Sequence, residues 1–92
     1  MKLADRVSIV TGGGSGLGRS MCIQLAKEGS KVVVADLNTE SADETVKMIT
    51  DDGGEAMSVE VDVVDPQKIE AMIETVLDKY GSIDIVCNNA GI

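Results

Sequence analysis

An alternating α/β fold with a parallel sheet is what this sequence predicts, and three observations predict it. Short apolar runs suited to buried strands alternate with stretches of helical periodicity, in the order strand, helix, strand, helix, strand, helix, strand. The links between them are short, with no internal repeat, linker or low-complexity segment. The run Val32-Val33-Val34 has no polar alternation, which calls for cover on both faces of its sheet. Right-handed crossovers follow from the twist of the chain, and if the fourth strand crosses to the far side of the first, the spatial order is 3-2-1-4. The 92 residues make one doubly wound domain at most, with three helices.

Each element has its own signal. Val7 to Val10, Ser8 apart, is apolar and ends abruptly at a cluster of glycines. From Leu17 onward Leu17, Met21, Cys22 and Leu25 share one helical face, and Gly29 stands where a left-handed cap is expected. Lys31 to Ala35 forms the second strand, closed by Asp36. Asn38 or Thr39 caps a second helix with Ala42, Val46 and Ile49 inward, and Asp51-Asp52-Gly53-Gly54 makes a turn. Ala56 to Val61 alternates as the third strand. Asp65-Pro66 opens the third helix, whose stripe of Ile69, Met72, Ile73, Val76 and Leu77 ends at Gly81. Ile83 to Cys87 then supplies the fourth strand, running into Asn88-Asn89-Ala90-Gly91.

Composition narrows the function. Tyr80 is the only aromatic residue and the formal charge is -8, so base stacking and phosphate-backbone binding both lack their usual means, and nucleic acid is not an expected partner. No apolar run approaches the roughly 18 residues of a membrane span, and the start of the chain has no signal-like segment, which points to the cytoplasm and away from membranes. Cys22 and Cys87 lack metal spacing and read as reduced core thiols.

Residues 11 to 18, TGGGSGLG, carry five glycines in eight positions between a strand and a helix. Such a turn lets a ligand approach the main chain, where the first unpaired helix amides and a partial charge of about +0.5 favour an anion. Arg19 opposes that dipole; it is expected to stay solvated, with a phosphate or carboxylate partner as the alternative. The acidic group Asp51, Asp52 and Glu55 precedes the third strand, at the opposite end of the sheet, so it does not repel an anion at the glycines.

The spacing of Gly12, Gly16 and Gly18 is TGxxxGxG, and in this the sequence resembles the short-chain dehydrogenase/reductase family, as it does in Asp36, in Asp62-Val63 and in Asn88-Asn89-Ala90-Gly91. The resemblance covers the whole chain and implies a Rossmann-like fold that binds a nicotinamide dinucleotide. By this resemblance the backbone of Ser15, Gly16 and Leu17 lies along the pyrophosphate, while Gly12 and Gly18 permit the turn and close packing. Thr11 resembles the threonine whose hydroxyl ties the first strand to the main chain at the asparagine motif, near Asn89. Asp36 accepts the adenosine ribose hydroxyls and repels a 2′-phosphate; two unit charges about 4 Å apart at an effective dielectric of ~20 repel by about 4 kcal/mol. NAD is therefore expected over NADP, and neither Ser15 nor Leu37 is basic, as the corresponding residues of NADP-preferring relatives often are. Asp62 and Val63 meet the adenine, and Asn89, Ala90 and Gly91 line the adenosine side.

The family's catalytic serine, tyrosine and lysine have no counterpart in these residues. Tyr80 is followed four positions on by Asp84, not lysine, and the resemblance implies no hydride transfer by these 92 residues alone. Three accounts of such a chain stay open: a truncated product, an excised half domain, or one piece of a split enzyme. The alternatives to a free-standing binding module are a cofactor piece of an assembled NAD-dependent alcohol or carbonyl oxidoreductase, and a folded fragment without measurable binding. The unpaired outer edge of the fourth strand and the stripe of the third helix further predict a homodimer or higher assembly.

Overall fold

The structure is a computed structural model and describes residues 3–89. Its seven elements follow the expected order: β1 (Val7–Thr11), α1 (Gly16–Lys27), β2 (Lys31–Asp36), α2 (Thr39–Asp51), β3 (Glu55–Glu60), α3 (Pro66–Tyr80) and β4 (Ile85–Asn88). The sheet is wholly parallel with strand order β3-β2-β1-β4. Among the described residues no helix is long and apolar enough to cross a membrane.

Period-two alternation divides the inner strands between two cores. Val7 and Ile9 of β1 and Val33 and Ala35 of β2 pack with Val61 and with Met72 and Val76 of α3. Val10, Val32 and Val34 turn to the other face, against Cys22 of α1 and Ala42 and Ile49 of α2. Ser8, out of character in an apolar strand, lies on this second face. Its hydroxyl pairs with the Ser30 hydroxyl at 2.6 Å, and Ser30 also donates toward the Arg6 carbonyl, so the buried polar atoms are satisfied. Cys22 is fully buried, and burial, with Cys87 adding to it, pushes its thiol up to about 12.

The helix ends follow their sequence signals. Asn38, rather than Thr39, caps α2, accepting the Ser41 amide at 3.1 Å. Asp65 caps α3 through the Gln67 amide ahead of Pro66, and Gly81 closes it in the left-handed region at φ 83°. Asp51 belongs to α2 rather than to the following turn. Leu17, in the first turn of α1, departs from the expected inward face and is 66% exposed. In α3 only Met72 and Val76 are buried, while Ile73 and Leu77 stay largely exposed.

β4 begins at Ile85 rather than Ile83, and the reason is Asp84. The Val7 amide donates to the Asp84 carboxylate at 2.9 Å instead of to a backbone carbonyl, and the Asp84 amide donates to the Val7 carbonyl. The side chain replaces one ladder bond, so regular pairing starts at Ser8 with Ile85. The Val7 amide, helped by Arg6 and Ser82, holds the Asp84 carboxyl below its ordinary value. A carboxyl whose folded value is depressed stabilises the fold above its unfolded value of about 3.9 and ceases to do so as pH falls through the folded value. Urea unfolding from pH 7 to pH 3 should therefore show midpoints dropping below about pH 4, with Asp84→Asn less stable at pH 7 and shallower in its acid loss; an unchanged acid slope in the variant would exclude Asp84 as the group responsible.

Candidate functional site

The carboxyl ends of β1, β2 and β3 surround a cleft of about 200 Å³ lined by Gly12, Ala35, Asp36, Leu37, Val61, Asp62 and Val63. Five of the residues singled out in the sequence thus meet in one place, drawn from three separate loops. Beside it stands the start of α1. Ser15 occupies its N-cap position without a side-chain cap, and among the described residues the amides of Gly16 and Leu17 have no hydrogen-bond partner.

The glycines of this turn serve different ends. Gly12 and Gly16 adopt left-handed backbone, φ 69° and 55°. A Cβ on Gly16 would meet nothing within 4 Å, so the space over the helix start is open. A Cβ on Gly18 would overlap the Gly12 carbonyl, which shows how closely α1 sits on the turn. Gly13 and Gly14 lie outside the family spacing but are confined too, by the side chains of Cys22 and Val34 in one case and of Asp36 and Ser41 in the other.

Asp36 does more than face the cleft. One carboxylate oxygen accepts the Gly14 amide at 2.9 Å and the other accepts the Asn38 amide at 3.0 Å. An ionised carboxylate offers about four acceptor sites, so roughly half remain for a ligand. Leu37 is 64% exposed beside it. Asp62 is exposed and its side chain accepts the Val64 amide, shaping the loop that carries Val63.

At the asparagine motif Thr11 donates toward the Cys87 main-chain carbonyl at 3.3 Å and to the Asn88 side-chain oxygen at 2.9 Å. Asn89 instead reaches the Gly12 carbonyl at 3.5 Å, joining the end of β4 to the glycine turn. Ala90 and Gly91 lie outside the described residues.

Arg19 is not solvated. It reaches across to α2, donating to Thr45 and to the backbone carbonyls of Gly14 and Ser41, and pairs with Glu44 at 3.2 Å. Thr45 is fully buried and donates to the Gly13 carbonyl at 2.9 Å. Neither residue was singled out as part of the site. The available signals were a cation in the first turn of a helix, against its dipole, and a threonine on the same helical face as Ala42 and Ile49.

Tyr80 lies far from this cleft in the topology, beside Lys31 and Glu55 at the amino ends of β2 and β3. Lys31 and Lys79 stand 5.6 and 5.7 Å from its ring centre. Burial, then the Glu55 carboxylate, raises its hydroxyl above the ordinary value.

A parallel sheet in the order 3-2-1-4, with a glycine turn and a cleft where the order reverses, places the chain among the doubly wound α/β proteins. It belongs to the short chain dehydrogenase family, which it matches over residues 6–92. It is 41% identical over 91 residues to fluoren-9-ol dehydrogenase of Terrabacter sp., covering 99% of this chain and 25% of that protein. To the short-chain dehydrogenase/reductase homolog YusS of Bacillus subtilis it is 38% identical, covering 100% of this chain and 85% of the relative. A hydroxysteroid dehydrogenase structure from Escherichia coli superposes with a TM-score of 0.92 at 33% identity, over 95% of this chain and 37% of its own. Two further solved structures carry cofactor: an oxidoreductase from Haemophilus influenza with NAD (TM-score 0.88, 29% identity, 92% of this chain and 30% of its own) and a metagenomic short-chain oxidoreductase with NADP (0.90, 29%, 94% and 39%). The chain thus spans between about a quarter and most of the length of these proteins.

The confinement of the glycines leads to an ordered pair of effects. Gly18→Ala should cost about 3 kcal/mol or more, since backbone must move, whereas Gly16→Ala should cost about 1–2 kcal/mol from its left-handed φ alone. Urea unfolding of both variants checks this; Gly16→Ala proving the more damaging would contradict the packing described.

Proposed function

We propose that residues 1–92 are the amino-terminal half of a dinucleotide-binding domain and bind NAD in preference to NADP. The observation that carries this reading is Asp36, held at the rim of the cleft by two backbone amides with acceptor sites to spare. In that position a carboxylate accepts ribose hydroxyls and repels a 2′-phosphate. The family structures include both cofactors, so the preference rests on this carboxylate and on the absence of a basic residue at Ser15 and Leu37.

The rest of the site supports the same ligand. The unpartnered amides of Gly16 and Leu17, under open space, suit a pyrophosphate, with Ser15 beside them and Gly12 and Gly18 keeping the backbone accessible. Asp62 and Val63 suit the adenine edge, and Asn89, Ala90 and Gly91 the adenosine side. When bound, a nicotinamide dinucleotide supplies hydride transfer. The side chains here bind and orient, and the family's catalytic serine, tyrosine and lysine have no counterpart in this sequence, so the chain alone is proposed not to turn over. The names of its relatives favour an alcohol or carbonyl oxidoreductase as the reaction to which such a half contributes. Two unbridged thiols accord with a reducing compartment, the cytoplasm.

Calorimetric titration of the chain should give tighter binding of NAD than of NADP, by about tenfold if Asp36 contributes a third of the ~4 kcal/mol repulsion reckoned above, with Asp36→Ala narrowing the gap. Equal or tighter NADP binding by the unmodified chain overturns the preference.

A second proposal concerns association. Among the described residues β4 pairs only with β1, and Val86 on it is 62% exposed. An apolar hollow of about 290 Å³ between this strand and α3 is lined by Ile69, Met72, Ile73 and Val86 among others. We propose that two copies cover these surfaces in a symmetric dimer. Sedimentation at micromolar concentration should show a dimer or larger species that Val86→Lys disperses; a cooperative monomer indifferent to the substitution excludes it.

A further inference from the structure

We propose that Thr45 and Arg19 form a brace that fixes the Gly13–Gly14 peptide against α2 and thereby sets the cofactor selectivity exerted by Asp36; this rests on the dinucleotide reading above. The Gly13–Gly14 peptide is held at both ends. Its carbonyl accepts the Thr45 hydroxyl at 2.9 Å, and its amide donates to Asp36 at 2.9 Å. Because a peptide unit is planar and stiff, fixing the carbonyl fixes the direction in which the amide meets the carboxylate. The next carbonyl, that of Gly14, accepts from Arg19.

Thr45 has a single hydroxyl proton, and of the two carbonyls within its reach, Gly13 at 2.9 Å and Ser41 at 3.3 Å, Gly13 is the nearer. With that proton given to Gly13, its oxygen is left to accept from Arg19 Nε at 2.9 Å, so guanidinium, hydroxyl, peptide and carboxylate form one continuous chain of hydrogen bonds. Arg19 adds a donor to the Ser41 carbonyl, so it grips α2 twice. Its pairing with Glu44 is a lesser matter, since that carboxylate is 65% exposed and surface ion pairs contribute little. This arrangement also accounts for a cation placed against the dipole of α1: the side chain is spent on carbonyls of the turn and of α2.

The turn has no slack with which to compensate. A Cβ on Gly14 would come within 2.7 Å of the Asp36 carboxylate and 2.8 Å of Ser41 Cβ, so the peptide is packed against the groups it bonds. If the Thr45 hydroxyl is removed, a buried carbonyl loses its nearest donor, with only the Cys22 thiol left at 4.0 Å, and the peptide is held less firmly. Asp36 then loses one of its two amide donors and no longer holds a single orientation toward the ribose. NAD suffers more than NADP, because NAD depends on the aimed acceptor while NADP is only relieved of a repulsion.

The test uses the whole chain with Thr45→Val, Thr45→Ser and Arg19→Lys, which leave its charge unaltered. Amide hydrogen exchange at Gly14 and Val33 and titrations with NAD and NADP are the readouts. Thr45→Val and Arg19→Lys should exchange the Gly14 amide about tenfold faster, with Val33 unchanged, and should lower the NAD-to-NADP affinity ratio several-fold. Thr45→Ser, which keeps the hydroxyl, should match the unmodified chain in both. The proposal is overturned by an unmoved Gly14 amide, by an unmoved affinity ratio, by Val33 accelerating in step with Gly14, or by serine behaving as valine. An unmodified chain that binds neither cofactor removes the dinucleotide reading and the selectivity with it, while Gly14 exchange still decides whether the brace exists.

Discussion

The close seating of α1 on the glycine turn is the constraint on which this structure depends. A helix can approach a strand-end turn this nearly only if its facing residue has no side chain, and Gly18 meets that need against the Gly12 carbonyl. The same turn joins three strands. The Gly12 amide donates to the Ala35 carbonyl of β2 at 2.7 Å, and the Gly12 carbonyl accepts from Asn89 just beyond β4. Moving α1 outward by a methyl group would disturb the end of β1, its neighbours and the helix start together.

Apolar burial and polar ties divide the remaining work. Val32, Val33, Val34 and Ala35 are fully buried, and each such valine contributes roughly 1.5–3 kcal/mol, more than the about 1 kcal/mol net of a typical hydrogen bond. Burial therefore holds the sheet together, and the hydrogen bonds decide how its ends are arranged. Asp84 at the amino end replaces a missing ladder carbonyl for Val7; Asp36 at the carboxyl end collects two loop amides. Two carboxylates of similar chemistry thus serve opposite ends of the sheet. Only Asp36 opens onto the cleft, because the crevice forms where the strand order reverses and the loops diverge.

Much of this fold was legible in the sequence because its signals are local. Asn38, Asp65, Gly29 and Gly81 mark helix ends through bonds and dihedral angles that reach only a few residues. The alternation of Val7, Ile9, Val33 and Ala35 with Val10, Val32 and Val34 is equally local, and it foretold a sheet covered on both faces. Where the reading slipped, a distant partner was responsible. The start of β4 moved because the Asp84 side chain meets Val7, 77 residues away.

The sequence by itself determined the order of elements, the parallel sheet and the glycine turn at its switch point, through periodicity and turn signals, and its family resemblance implied that Asp36, Leu37, Asp62 and Val63 join Gly12 in one site. Only the tertiary structure decided that Thr11 reaches the Cys87 carbonyl and the Asn88 side chain, that Gly13 and Gly14 are packed against side chains while Gly16 stands open, and that Arg19 turns from solvent to grip Thr45 and the turn. The physical reason is range. Helix caps and hydrophobic alternation are settled among neighbours along the chain, whereas a hydrogen bond from α1 to α2, 26 residues apart, exists only once the sheet has brought the two helices onto the same face.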